Sequence, residues 1–217
     1  MLHLAQFIEH TRLAPQTKIE NIYTLCDEAI QYQFPVVCMS PYFVAKAHRY
    51  LSQQNAQTQL ATVVGFPMGY NHTTSKIEDI KKSIDNGAKD IDAVINLSAL
   101  MGDDWNYLHK EIMNIADTCR LYGVNSKIII ETAYLQTTHY HKLAQICIEA
   151  QVDYVKTSTG FAPTGATVEA VKLLSQLLPE QIQIKASGGI KTKAFAIELL
   201  KAGANRLGTS SGIAIVS

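Results

Sequence analysis

Long apolar runs are missing from this 217-residue chain, and so is any excess of charge of one sign. No run approaches the roughly 20 residues needed to cross a bilayer. Glu9, Arg12, Lys18 and Glu20 interrupt the first twenty residues, where a secretory leader would carry an unbroken apolar stretch. A soluble, cytoplasmic protein is expected, with no membrane partner. The 19 basic and 19 acidic side chains cancel, so no overall field draws the chain to nucleic acid, and a small molecule is the default partner. Cys26, Cys38, Cys119 and Cys147 are far apart with no C-x-x-C pair, which argues against a zinc site or a disulfide framework. The seven histidines lack metal-ligand spacing, so no metal or other cofactor is expected. Also absent is a G-x-G-x-x-G turn after the first strand, the usual mark of a dinucleotide-binding sheet.

What is present is a regular alternation. Runs rich in β-formers span Phe7–His10, Pro35–Met39, Leu60–Gly65, Ile91–Asn96, Lys127–Glu131, Asp153–Lys156, Ile182–Lys185 and Arg206–Gly208. Helix-like segments separate them. Thr17-Lys18-Ile19-Glu20 and Ser75-Lys76-Ile77-Glu78 each fit a capping box. Gly87, Gly123 and Gly203 fall where helices end just before strands. Eight strand-helix units with short connections predict parallel strands and right-handed crossovers, and eight strands favour a closed barrel over an open sheet. The chain is therefore read as α/β, one (β/α)₈ barrel domain over residues 1–217. Its 47% hydrophobic content suffices for such a core.

In a barrel of this kind the chemistry sits where strands end. Lys156 and Lys185 close two consecutive strands, and alternation turns both inward, with Val155, Ile182 and Ile184 facing the helices. Repulsion between two such ammoniums should keep one amine neutral and nucleophilic toward a carbonyl. On the fourth strand Asp92 falls on the inward face, while Ile91, Ala93 and Ile95 fall outward. A buried ion pair is a poor stabiliser, so this carboxylate is better explained as a proton carrier for a Schiff base, which needs a proton removed and returned. Three glycine- and hydroxyl-rich stretches follow the last three strands: Thr157–Gly160, Ser187–Ile190 and Gly208–Gly212. Together they predict a phosphate site built from backbone N–H groups.

The strings Asp153-Tyr154-Val155-Lys156-Thr157-Ser158-Thr159-Gly160-Phe161 and Ile184-Lys185-Ala186-Ser187-Gly188-Gly189-Ile190 resemble the two lysine motifs of the deoxyribose-phosphate aldolases. The resemblance extends through Ile8-Glu9-His10-Thr11, Val37-Cys38, Gly65-Phe66-Pro67, Asp92–Asn96, Glu131-Thr132 and Arg206–Gly212, essentially the whole chain. It implies reversible cleavage of 2-deoxy-D-ribose 5-phosphate to D-glyceraldehyde 3-phosphate and acetaldehyde, without metal, in a cytoplasmic homodimer serving deoxynucleoside breakdown. It further implies that Lys156 forms the Schiff base, that Asp92 donates and accepts the proton, and that Lys185 tunes the Lys156 amine and assists proton transfer. Cys38 would lie near the site, with Thr157, Gly160, Ser187, Gly188, Gly189, Ser210 and Ser211 around substrate and phosphate. The chain departs from the resemblance at Glu9, where aspartate is commoner, at Ser98, where many members have glycine, and at Phe161, where some carry lysine. It stops at Ser217, five residues after Gly212, short of a tail that closes over substrate in some members. The alternatives are another phosphate-binding barrel enzyme, either a Schiff-base aldolase with a different donor or a sugar-phosphate isomerase, and a catalytically inert barrel that senses a metabolite.

Overall fold

Each of the eight β-rich runs becomes one parallel strand. The computed structural model describes residues 4–217, with β1 (Ile8–Arg12), β2 (Val36–Met39), β3 (Gln59–Val64), β4 (Asp90–Val94), β5 (Asn125–Ile129), β6 (Tyr154–Lys156), β7 (Gln183–Ser187) and β8 (Arg206–Thr209). Every strand pairs with the next, and β8 returns to β1 to close an eight-stranded parallel barrel. Around it lie α1 (Ile19–Tyr32), α2 (Val44–Gln53), α3 (Thr73–Asp85), α4 (Leu97–Met101), α5 (Trp105–Leu121), α6 (Thr137–Ala150), α7 (Val168–Leu177), α8 (Lys193–Lys201) and α9 (Gly212–Val216). The result is the expected (β/α)₈ architecture. No helix among the described residues is long and apolar enough to cross a membrane.

Strand alternation sorts side chains into two layers. Val37, Ile91, Ala93, Val155 and Ile184 point outward into the large apolar core beneath the helices. Val36, Cys38, Ala61 and Val63 form a second, small apolar cluster. These alternate with the outward set, so they face the barrel interior. All four cysteines are buried and unpaired.

Both expected capping boxes are absent. The Thr17 hydroxyl donates to Ala14 O at 2.6 Å, so it is taken up by a preceding turn, and Lys18 becomes the cap of α1. In α3 the first helical hydrogen bond runs from Lys76 N to His72 O at 3.1 Å, which places Ser75 inside the helix. Side-chain caps occur instead at Asn96, Asp104, Thr167 and Thr192. Asn96 explains why β4 ends at Val94: its backbone leaves the ladder so that its side chain can accept from Ala99 N at 3.1 Å. Gly87, Gly123 and Gly203 leave their helices at positive φ, as their spacing implies.

Lys76 and Glu111 form a fully buried ion pair at 2.8 Å between α3 and α5. The ammonium also donates to Val94 O at 2.7 Å, and the other Glu111 oxygen accepts from Asn96 N at 2.7 Å. The pair thus ties two helices to the exit of β4. Burial lowers the Lys76 pKa and raises that of Glu111, in each case against the pull of its partner. Removing one member leaves the other buried and uncompensated. Lys76→Met is therefore expected to cost about 3–5 kcal/mol of stability, most of it recovered in Lys76→Met/Glu111→Leu. Urea denaturation of the two variants measures both numbers.

Candidate active site

Charged side chains occupy the part of the barrel interior that aliphatic side chains usually fill. Glu9 from β1, Asp90 and Asp92 from β4, Lys127 from β5, Lys156 from β6 and Lys185 from β7 are all buried. Lys156 stands opposite Lys185, and Asp92 opposite Lys127, in the parallel register. Asp92 Oδ2 accepts from Lys156 Nζ at 2.7 Å and from Lys185 Nζ at 2.5 Å. Lys185 also contacts Glu9, and Lys127 contacts Asp90 and, at 2.8 Å, Glu9.

Three lysine side chains therefore face three acidic ones, which changes the electrostatics expected from two lysines alone. Burial would lower the Lys185 pKa, but Asp92 and Glu9 outweigh it and raise the pKa above its ordinary value. Lys127 is raised likewise, with Glu9, Asp90 and Asp92 overcoming burial. Burial would raise the Asp92 carboxyl, yet Lys156, Lys185 and Lys127 together hold it well below the usual carboxylate range. Glu9 is lowered by Lys127 and Lys185 against the same opposition. The network is consequently ionised at neutral pH at each of these four groups. Asp92 Oδ1 has no hydrogen-bond donor among the described residues, which leaves lone pairs able to take a proton.

Glu9, Cys38 and Asp92 bring ligand atoms within 4.8 Å of one another, a grouping that could hold a cation. Two features oppose that use. Both carboxylates already accept from lysine ammoniums, and the Cys38 thiol is pushed up to about 12 by burial first and the Asp92 charge next. A thiol so far from deprotonation is a poor metal ligand.

Above this network a cavity of about 500 Å³ opens at the C-terminal ends of the strands, with Lys156 reaching it. Of the residues expected around phosphate, Gly160, Ser187, Gly188, Gly189 and Ser210 line it. Asp92 and Lys185 lie outside the lining, fully buried and joined to it through Lys156. Cys38 is buried within the barrel and does not line the cavity. Thr157 is also buried, its hydroxyl accepting from Ser187 N at 3.1 Å and so tying β6 to β7. Ser211 lies in an adjacent depression with His10 and Glu28. Gly188 has φ +86, and a Cβ there would stand 2.9 Å from Gly165 Cα, so neither backbone nor space admits a side chain.

Lys127, Asp90, Arg12 and Lys191 join the site without standing among the residues expected from the sequence. Inward alternation with Asp92 would have found Asp90, and the same rule applied from Lys127 would have completed the network. Arg12 closes β1, and Lys191 follows the Gly188-Gly189-Ile190 turn; both line the cavity and are exposed.

Residues 2–217 match the family described as DeoC/LacD family aldolase. A deoxyribose-phosphate aldolase of Thermococcus gammatolerans is 43% identical over 215 residues, covering 99% of this chain and 96% of that protein. One from Caldicellulosiruptor saccharolyticus is also 43% identical, over 99% of this chain and 97% of that protein. Among solved structures, the deoxyribose phosphate aldolase of Aeropyrum pernix, described as tetrameric, superposes with a TM-score of 0.91 at 29% identity, covering 98% of this chain and 89% of that one.

Proposed function

Because the chain belongs to the DeoC/LacD family of aldolases, we propose that it is a class I aldolase that reversibly cleaves 2-deoxy-D-ribose 5-phosphate to D-glyceraldehyde 3-phosphate and acetaldehyde. One observation supports the covalent route above others: the Lys156 amine reaches the cavity while hydrogen-bonded to a buried carboxylate. Lys156 passes a proton to Asp92, the freed amine attacks the aldehyde carbon, and the proton returns to the hydroxyl that leaves as water, giving an iminium. As the carbon–carbon bond one removed from the iminium carbon breaks, Asp92 takes the hydroxyl proton of the departing aldehyde; the enamine left behind takes a proton at carbon, and water hydrolyses the resulting iminium to release acetaldehyde and return the lysine. Lys185 shares Asp92 Oδ2 with Lys156, so it can pass the proton onward and hold Asp92 in place.

Backbone groups of Gly160, Gly188, Gly189 and Ser210 cradle the phosphate, with Ser187 beside them, and Arg12 and Lys191 supply positive charge at the rim. Thr157 and Ser211 support the cradle from behind. Cys38 packs under Asp92 as a neutral thiol. The enzyme assembles as a homodimer and works in the cytoplasm in deoxynucleoside breakdown, as the resemblance implies. Light scattering on the eluted protein separates a dimer from the tetramer described for the Aeropyrum pernix relative.

A panel of aldehyde and ketone donors, each with D-glyceraldehyde 3-phosphate, tests the reaction assigned. Condensation with acetaldehyde supports it, and exclusive use of a ketone donor overturns it. The phosphate cradle makes a second prediction. Gly188→Ala should raise KM for the phosphorylated sugar by about tenfold or more, because the added methyl meets Gly165 and the left-handed backbone is strained. Turnover of unphosphorylated deoxyribose at saturation should change far less, and steady-state kinetics on both sugars measures the contrast.

A further inference from the structure

Glu131 is placed where a turn would ordinarily have glycine or asparagine. It follows β5 with φ +52, a left-handed conformation uncommon for any residue but glycine or asparagine. Its side chain is buried rather than solvated, and burial pushes the carboxyl above its ordinary range. A buried acid on a left-handed backbone is costly to keep, so its contacts carry the explanation.

Those contacts converge on one residue. Both carboxylate oxygens accept from Thr159 N, at 3.2 and 3.3 Å, and Oε2 also accepts from the Thr159 hydroxyl. Thr159 Oγ1 in turn accepts from Phe161 N at 3.1 Å. Alongside, Thr132 N donates to Thr157 O at 2.8 Å. The exit of β5 is thus fastened to the loop that begins at Lys156, and Thr159, Gly160 and Phe161 of that loop all line the cavity. Without Glu131, two buried donors on Thr159 lose their acceptor, and the loop loses the contact that orders it.

We propose that Glu131 is a positioning residue of the aldolase reaction: through Thr159 it sets the conformation of loop 157–161, and so the fit of the phosphorylated sugar over Lys156. The inference rests on the reading under Proposed function. Glu131 acts through the loop and not on the reacting atoms, so its loss separates two measurements. Labelling of Lys156 by acetaldehyde and borohydride requires only the amine; turnover of 2-deoxy-D-ribose 5-phosphate also requires the loop.

The test compares the wild-type protein with Glu131→Ala, Glu131→Gln, Glu131→Gly, Thr159→Val and the Glu131→Ala/Thr159→Val double variant. Expected for Glu131→Ala are unchanged acetaldehyde labelling and a kcat/KM for the sugar phosphate lower by about 10²-fold, mostly through KM. Glu131→Gln, which keeps one carbonyl acceptor, recovers part of the loss. Glu131→Gly, which suits the backbone but lacks the carboxylate, recovers none. The double variant is no worse than the poorer single one, because both act on one contact. Wild-type kcat/KM in any folded Glu131→Ala or Glu131→Gly protein overturns the inference, as do additive losses in the double variant or labelling that falls in step with turnover. A wild-type protein that acetaldehyde does not label overturns the aldolase reading itself, a failure distinct from all of these.

Discussion

Lys156→Met is expected to lower kcat for cleavage by about 10⁴-fold or more, the order of loss when a covalent nucleophile is removed. The variant should still fold. Asp92 keeps Lys185 at 2.5 Å and has Lys127 at 3.9 Å, so its charge is not abandoned, and the methionine stem occupies nearly the same volume. Binding of inorganic phosphate should persist, because the cradle is made by loops after β6, β7 and β8 rather than by the amine. Calorimetric titration with phosphate beside a coupled assay for glyceraldehyde 3-phosphate distinguishes loss of chemistry from loss of structure. Retained cleavage in this variant would refute the assignment of the nucleophile.

The second large effect belongs to Lys185→Leu. Its ammonium lies between Glu9 and Asp92, both fully buried, and removing one partner of such a pair typically costs about 3–5 kcal/mol. Lys127 still neutralises part of the charge, which places the expected loss toward the lower end. Cleavage should fall by about 10²- to 10⁴-fold, the range of a lost acid-base group. The pH dependence follows from the directions of the shifts. Glu9 and Asp92 have folded pKa values below their ordinary ones, so they contribute stability above about pH 4, which is lost as pH falls. Lys185 is raised, so its contribution is present below about pH 10.5 and lost only as pH rises through the folded value. Lys185→Leu removes one cause of the carboxylate depression. The variant should start less stable at pH 7 and lose less between pH 7 and pH 3, as urea midpoints across that range would report. An unchanged rate and an unchanged acid limb would remove Lys185 from the account.

Period-two alternation made the barrel legible, because a strand with one helix-facing side must send every second residue to the interior. That rule turns Asp92, Lys156 and Lys185 inward from three separate segments, and in the structure the three side chains meet. Boundaries were less legible, and each slip has a local cause. β5 begins at Asn125 and not Lys127 because Ser126 N finds Asp153 at 2.8 Å and Asn125 reaches Asp90 at 2.7 Å, polar pairings that an apolar run does not reveal. Helix starts failed at Thr17 and Ser75 because hydroxyl residues serve turns and helix interiors as readily as caps. The charge balance of the site was the larger omission. Lys127 opens an apolar run, and alternation from it gives an inward face, but its pairing with Glu9 from a strand 118 residues away depends on closure of the barrel. Glu131 was visible only as part of a matched string, since its positive φ and its grip on Thr159 arise from packing of β5 against β6.

The central claim is that Lys156 forms a covalent imine with substrate. Incubation with 2-deoxyribose 5-phosphate and borohydride, followed by mass spectrometry of the digested protein, tests it directly. One reduced adduct is expected, on the peptide carrying Lys156, and none in Lys156→Met. Cleavage of the sugar phosphate by folded protein without any adduct, or an adduct confined to Lys185 or Lys127, would contradict it.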